Sequence, residues 1–337
     1  MSDILSIGAS ATQLYRTSLS TVGNNIANLN TDGYTRQFVS STGNVARAYD
    51  EFAEATLRNS GSELAGQPPM INYANRIVDI MGAEASGLSG AMDQFFASAN
   101  RLSTDPASIP LRNIFLRDGD ALAARFRELS GQLGDIERET QDKIELQVAS
   151  LNNLSEQLAK VNIQLNQTSS VEMQPARLLD QRDSLLRDLS QISKINVRET
   201  ASGSVNIRLG SVAGSVAVSG GQATTFGSQF YSNQPGRVDL ISEPNGDARP
   251  VSSASSGMLG GLIQLRNQVL APTMDSFDSL AQIVVKEMNA IHTSGLDARG
   301  ERGKDLFKID PIFDVTSPTV TSTIKASLAV ADSDAVT

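Results

Sequence analysis

Histidine occurs once in this 337-residue chain, as His292, and cysteine not at all. A thiol nucleophile and a thiolate-held metal are therefore excluded, no second imidazole exists to share a metal, and no Ser-His-Asp arrangement is visible. His292 reads as a surface or cap residue near the end of a helix. Carboxylates come next. Asp180 and Asp183 stand three apart, which puts both on one helix face, as a general acid and base would need. Arg177, Arg182 and Arg187 interleave with them and can neutralise both. Gly300-Glu301-Arg302-Gly303-Lys304-Asp305 has glycines and a lysine, but not at phosphate-loop spacing, and no Ser or Thr follows Lys304 to hold magnesium. The same stretch fails as a calcium loop, because Arg299 and Glu301 stand where Asp or Asn is needed. These residues predict no catalytic site, no cofactor, no metal and no enzyme activity.

The elements that carry these residues are mostly helical. Leu178, Leu179, Leu185, Leu186 and Leu189 form the apolar face of a short helix opened by Pro175, with the charges pairing on its wet side. Upstream, Ile77, Ile80, Met81, Leu88, Met92, Phe95, Phe96 and Leu102 trace an apolar face that stops at Thr104-Asp105-Pro106, and Gly66 to Met70 with Pro68-Pro69 breaks the pattern before it. Beyond Pro110 lies the longest periodic stretch, Leu122, Phe126, Leu129, Leu133 and Ile136, then Ile144, Val148, Leu151, Leu154, Leu158, Val161 and Leu165, interrupted at Thr140. It makes either a spine of about 65 Å or an ordinary helical hairpin. Gly131 and Gly134 are its weak points.

From Val197 the apolar period changes to two, in Val205 to Leu209 and Val216 to Val218, with Gly203, Gly210 and Gly220-Gly221 between. Val238, Leu240 and Ile241, then Asn245-Gly246 and Val251, add one more hairpin. Leu262, Leu265, Val269 and Leu270, and across Pro272 Phe277, Leu280, Val284, Met288 and Ile291, read as helix, joint, helix. The tail with Phe307, Ile309, Ile312, Phe313, Val315 and Val320 suits extended structure.

Forty per cent hydrophobic residues in a chain of this length suffice for real cores. A net charge of -9 with no basic block argues against nucleic acid as a partner. No apolar run reaches the roughly 20 residues of a membrane span, and the start lacks the basic region, apolar core and cleavage site of a signal peptide.

The N-terminus is the most specific segment. Ile4, Ile7, Ala11 and Leu14, then after a one-residue slip Leu19, Val22, Ile26 and Leu29, draw a seam along an amphipathic helix. An isolated helix of this length is marginal in water, so the seam needs a partner. Asn24-Asn25-Ile26-Ala27-Asn28-Leu29-Asn30-Thr31-Asp32-Gly33-Tyr34-Thr35-Arg36 follows: Asn and Asp compete for backbone groups, and Asp32-Gly33 suits a turn of positive φ. An extended connector or short hairpin runs from Tyr34 to Tyr49.

That Asn-rich segment resembles the N-terminal signature of the rod, hook and hook-associated proteins of the bacterial flagellum. Arg47-Ala48-Tyr49-Asp50-Glu51-Phe52 with Leu57-Arg58 is similar to the way that family opens its next helix. Three further stretches, in matching order, resemble the hook-filament junction family of flagellar hook-associated proteins: Met92 to Phe96 through Pro106 to Leu111-Arg112; Leu178-Leu179-Asp180-Gln181-Arg182-Asp183-Ser184-Leu185-Leu186-Arg187-Asp188-Leu189-Ser190; and Gly260-Gly261-Leu262 through Arg266 to Leu270, Met288 to His292 and Gly295-Leu296-Asp297 to Phe307.

The resemblance implies a structural subunit of the flagellar axial structure at the junction of hook and filament, built by helical self-assembly. Its partners would be further copies of itself, the hook protein, the adjoining junction protein and the flagellar export apparatus. It implies an extracellular location reached without a cleaved signal peptide. Another axial protein, hook or rod, is the alternative; from a different class, a long-helix adhesin or carbohydrate-active enzyme. Family members end in a long amphipathic helix that pairs with the N-terminal one. This chain stops at Asp332 to Thr337, so a truncated product or a naturally short variant is expected, and binding of an export chaperone, which the family places at that segment, is put in question.

The expected fold is mainly α: an elongated helical bundle with long coiled-coil-like helices, a small β-hairpin region and an N-terminal amphipathic helix. Its expected parts are residues 1–50 as axial core segment, 51–195 as helical body, 196–256 as small β region, 257–305 as helical return and 306–337 as extended C-terminal segment. The residues expected to carry assembly are Ile4, Ile7, Leu14, Leu19, Val22, Asn24, Asn25, Ile26, Asn28, Gly33, Tyr34 and Arg36.

Overall fold

A computed structural model describes residues 2–40, 43–82, 87–168, 170–231, 234, 236–243, 246–251, 256–296, 300–312 and 325–330. The fold is mainly α, as the periodicity predicts. Its elements are α1 (Ser2–Ala27), β1 (Gln37–Val39), β2 (Val45–Arg47), α2 (Glu51–Gly82), α3 (Leu88–Thr104), α4 (Ile109–Leu165), α5 (Ala176–Ile192), β3 (Ile195–Glu199), β4 (Val205–Leu209), β5 (Val216–Ser219), β6 (Gln222–Ala223), β7 (Phe226–Phe230), β8 (Val238–Ser242), β9 (Arg249–Pro250), α6 (Gly257–Leu265), a π-helical turn (Arg266–Leu270), α7 (Ala271–Ser294), β10 (Phe307–Ile312) and β11 (Lys325–Val330). They form two compact units, one from Met1–Gln67, Glu145–Ser228 and Leu240–Gly261, the other from Pro68–Ile144, Gln229–Asp239 and Leu262–Thr337.

In the first unit, Leu151, Leu158 and Leu165 of α4 and Leu186 and Leu189 of α5 are buried with Val205, Ile207, Leu209 and Val218 of an antiparallel sheet of order β3-β4-β5-β6. Asn162 fastens the sheet to α4: its amide donates to the Val205 and Gly220 carbonyls at 2.7 and 2.8 Å and accepts from the Val205 N–H at 2.9 Å. Asn152 does the same for Phe226, at 2.9 and 2.8 Å. Buried backbone groups outside a ladder need such partners. In the second unit, Leu122, Phe126, Leu129, Leu133 and Ile136 of α4 are buried with Phe95 of α3, Phe277 and Ala281 of α7 and Phe307 of β10. Arg266 lies at its centre, donating to the Gly236 and Glu137 carbonyls at 2.8 and 2.5 Å and to Thr140 Oγ1 at 3.0 Å. Burial pushes its pKa down to about 10, partly countered by Glu137, so it stays charged at neutral pH.

Several expectations need correction. The interruption at Thr140 and the helical-hairpin reading fail: α4 is one helix of 57 residues. Thr140 Oγ1 returns to the Ile136 and Glu137 carbonyls, which keeps a buried hydroxyl satisfied inside the helix. The break at Gly66 to Met70 fails too, because Pro68 and Pro69 lie inside α2. Each interior proline costs about 3 kcal/mol or more. Tight packing offsets that cost: a Cβ on Gly66 would lie 2.8 Å from the Gly257 carbonyl oxygen, so helix backbones touch there, and Tyr73 and Ile77 further along α2 are buried. The charges of α5 do not all pair on a wet side, since Arg182 and Asp183 are 1% and 2% exposed. The joint before Pro272 is a π-helical turn rather than a break, and β7 carries no clear alternation in sequence.

Elsewhere sequence and structure agree. Tyr34 to Tyr49 contains the antiparallel β1–β2 hairpin, Gln37 opposite Arg47, and β8 pairs with β9 around Gly246. Asn245, placed at that turn, lies outside the described residues. Phe307–Ile312 and Lys325–Val330 are extended and paired, while Phe313, Val315 and Val320 fall outside the description.

Candidate functional site

The described residues contain no cluster of three or more His, Cys, Asp or Glu able to hold a metal, and no helix long and apolar enough to cross a membrane. The Nδ1 of His292 bonds the Lys304 carbonyl oxygen, so this ring latches the loop after α7.

The conspicuous surface is α1. Ile4, Ile7, Leu14, Leu19, Val22 and Ile26 are 77%, 63%, 38%, 75%, 52% and 71% exposed, and Leu29 just beyond is 80% exposed. Among the residues of this helix whose side chains are described, Thr21 alone is buried, its hydroxyl donating to the Thr17 carbonyl at 2.8 Å. A row of large aliphatics open to water is the kind of surface that marks an interaction site.

The turn that ends α1 is fixed by side-chain amides. Asn25 donates to the Gln37 carbonyl at 2.8 Å and accepts from the Gln37 N–H at 2.9 Å, pairing with the outer edge of β1 as another strand would. The Tyr34 hydroxyl donates to Asn25 Oδ1 at 2.9 Å. Burial and the nearby Asp180 carboxylate push the Tyr34 hydroxyl above its ordinary 10.0, which keeps the proton this bond needs. Asn28 donates to the Asn24 carbonyl at 2.9 Å and accepts from the Thr31 hydroxyl at 3.2 Å. Gly33 has φ +79°, in the left-handed region that the Asp32-Gly33 pair predicts, and a Cβ there would stand 3.3 Å from Arg187 Nη2 and 3.7 Å from Ser184 Cβ. Arg36 is exposed and makes no side-chain hydrogen bond or ion pair among the described residues. Asn24, Asn28, Gly33 and Tyr34 face Arg177, Asp180 and Ser184 across a groove of about 660 Å³.

Beneath this corner lies a charge network that sequence reasoning did not assemble. Arg47 of β2 reaches two carboxylates of α5, Nη1 to Asp180 Oδ1 and Nη2 to Asp183 Oδ2, both at 2.7 Å. Arg182 holds the other Asp183 oxygen at 2.7 Å, Glu199 at 2.8 Å and the Gly203 carbonyl at 2.6 Å. The carboxylates of Asp183 and Glu199 outweigh burial and hold the Arg182 guanidinium above its usual range. Asp50 caps α2, its Oδ1 accepting from Phe52 and Ala53 N–H at 3.0 Å each. Asp180 and Asp183 thus share a face, as their spacing predicts, but bonded arginines occupy them. The arrangement fixes the hairpin to α5 and supplies no free acid or base.

Comparison with known proteins matches two family models: the flagellar hook-associated protein FlgK helical domain over residues 74–307, and the flagella basal body rod protein family over residues 5–35. The chain is 30% identical to flagellar hook-associated protein 1 of Salmonella typhimurium over 360 residues, an alignment that takes in 100% of this chain and 65% of the relative. It is 27% identical to flagellar hook-associated protein 1 of Bacillus subtilis, over 86% of this chain and 66% of that one. The chain thus spans about two thirds of the length of these relatives. Among solved structures, the flagellar hook junction protein FlgK from Burkholderia pseudomallei shares the fold with a TM-score of 0.67 at 20% identity, covering 84% of this chain and 57% of that one.

Proposed function

The chain belongs to the FlgK family of flagellar hook-associated proteins, and from that premise we propose that it is a non-enzymatic structural subunit of the flagellar axial structure, at the junction of hook and filament. It works by packing. The observation that carries this reading is the exposed row Ile4, Ile7, Leu19, Val22 and Ile26 on a helix whose far end is locked by Asn25, Tyr34 and Gln37. Full burial of an aliphatic side chain contributes about 1.5–3 kcal/mol, so covering five contributes on the order of 10 kcal/mol to holding the helix in an assembly. Residues 1–50 are the axial core segment in this reading, and head-to-tail contacts between identical subunits propagate along the structure. Neighbouring copies, the hook protein and the adjoining junction protein cover the helix outside the cell. The subunit arrives through the flagellar export apparatus.

Gly33→Val tests it. The substitution forces a β-branched residue into positive φ, at about 1–2 kcal/mol or more, and presses on Arg187 and Ser184. Incorporation into flagella should fall while thermal unfolding of the remainder stays unchanged; normal incorporation refutes the role of the turn. The match of residues 5–35 to rod proteins favours a second reading, another axial subunit. Deleting the gene separates them: filaments lost with hooks intact supports the junction, and loss of hooks supports hook or rod.

A further inference from the structure

The β1–β2 hairpin has two edges, and only that of β1 carries a partner. Ala48 N–H bonds the Arg36 carbonyl at 2.7 Å and Ser40 N–H the Asn44 carbonyl at 2.8 Å. With Phe38 opposite Ala46 in the register, alternation turns the main-chain groups of Gln37 outward on β1 and those of Val45 and Arg47 outward on β2. Asn25 takes both groups of Gln37. Among the described residues nothing takes those of Val45 and Arg47. They are open to solvent: Val45 is 40% exposed, and Arg47 is half-buried as a residue although its side chain is only 7% exposed, so its main chain is the more open part. Natural sheet edges are blunted by a charge, a proline or a bulge. β2 is Val45-Ala46-Arg47 in unbroken register, and its single charge is turned onto Asp180 and Asp183 of α5.

This edge borders a groove of about 660 Å³ whose far wall is Val171, Ala176 and Leu179, all within the first unit. Because Arg47 reaches α5, alternation points Val45 the same way and Phe38 and Ala46 the other way. A strand laid along β2 would therefore place every second side chain on the side of Val45 and Leu179, and the others beside Phe38, which is 47% exposed. Glu51 and Glu172 also line the groove, and no cation among the described residues pairs with either. We propose that β2 accepts an extended segment of another protein as a third, antiparallel strand, apolar at alternate residues and carrying a lysine or arginine for Glu51 or Glu172. The outward N–H and C=O groups select the extended backbone, the aliphatic wall selects the apolar residues and the carboxylates select the charge. The same edge of a second copy is disfavoured, since a two-fold pairing of β2 with β2 brings Glu51 and Glu172 against their like. The site is independent of the α1 surface and stands whether or not that surface assembles.

The test adds the acetylated, amidated peptide Val-Lys-Val-Thr-Val to the full chain and follows amide hydrogen exchange residue by residue. At saturating peptide the Val45 and Arg47 amides should slow by about tenfold or more, with amides of α4 unchanged. The same peptide N-methylated on its bonding side should lose the effect, and Val-Glu-Val-Thr-Val should bind about fivefold more weakly. Val45→Pro removes one outward N–H at an edge position that tolerates proline, and should weaken the peptide by about tenfold. The Ala48 amide should keep its protection in that variant, which shows the hairpin intact; if it does not, the N-methylated peptide on the wild type still decides. Equal binding of the N-methylated peptide, undiminished binding to an intact Val45→Pro, or binding that leaves the Val45 and Arg47 amides fast overturns the proposal. Absence of saturable binding overturns it as well. If those two amides are slow without peptide and quicken on dilution of the protein, a second copy fills the edge and the proposed occupant is wrong.

Discussion

Replacing Arg47 with alanine removes the contact that ties the β1–β2 hairpin to α5. The side chains involved are 7% (Arg47), 12% (Asp180) and 3% (Asp183) exposed, so the substitution leaves Asp180 without its cation and Asp183 with Arg182 alone. Breaking a buried pair from one side costs about 3–5 kcal/mol. The slight exposure of Asp180 places the loss near the lower end, about 3 kcal/mol, or roughly a hundredfold in an opening equilibrium at about 1.4 kcal/mol per decade. Hydrogen exchange reads it at two amides that close the hairpin, Ala48 N–H to the Arg36 carbonyl at 2.7 Å and Ser40 N–H to the Asn44 carbonyl at 2.8 Å. Their protection should drop by about two decades while amides of α4 in the second unit are unchanged. Adding Asp180→Ala to Arg47→Ala should recover part of the loss, since the stranded carboxylate is gone. A change below about threefold at Ala48 and Ser40 refutes the reasoning.

Asn162→Ala, at a site 0% exposed, strands the Val205 N–H and two carbonyls, and should cost about 3 kcal/mol in denaturant unfolding of the first unit. Gly261→Ala places a methyl 2.0 Å from the Gly66 carbonyl oxygen and should destabilise by about 2 kcal/mol or more, read by calorimetry, because backbone cannot yield as a side chain does. Tyr49 is held above its ordinary 10.0 by burial and then by Asp183, against the opposing effect of Arg58. The folded state therefore keeps a proton that the unfolded chain releases, and stability falls as pH rises above 10 toward the folded value. Tyr49→Phe should flatten that alkaline decline in a pH series of melting temperatures; an unchanged slope refutes the assignment.

The parts of this fold that local rules govern were readable. The α1 seam is a period, Asp32-Gly33 is a turn preference, and Asn25 belongs to a residue type that captures nearby backbone, so helix, bend and hairpin follow from residues within a dozen positions of one another. Arg47 shows where such reading stops. Its partner Asp180 lies 133 positions away, and nothing near Arg47 in the chain indicates that α5 will face it. The same limit produced the expectation of a wet charged face on α5: helix spacing shows that Arg182 and Asp183 are neighbours but not that β3 and the hairpin close over them. Pro68 and Pro69 carry a strong local signal that tertiary contact overrides, through glycines nearly 200 positions apart that leave room for helix backbones to touch.

The π-helical turn at Arg266–Leu270 makes the spacing of this region a counted quantity. Each residue added to a helix advances the following side chains by about 100°. The wide turn takes up one extra residue while keeping its flanks in phase, so deleting one position between Arg266 and Leu270 would relax it into ordinary α-helix with Phe277, whose ring centroid stands 5.3 Å from that of Phe126, still in its seat. A deletion further along α7 would instead swing Ala281 and Val284 out of the core. A one-residue loss is therefore tolerated at this turn and nowhere else along α6 and α7.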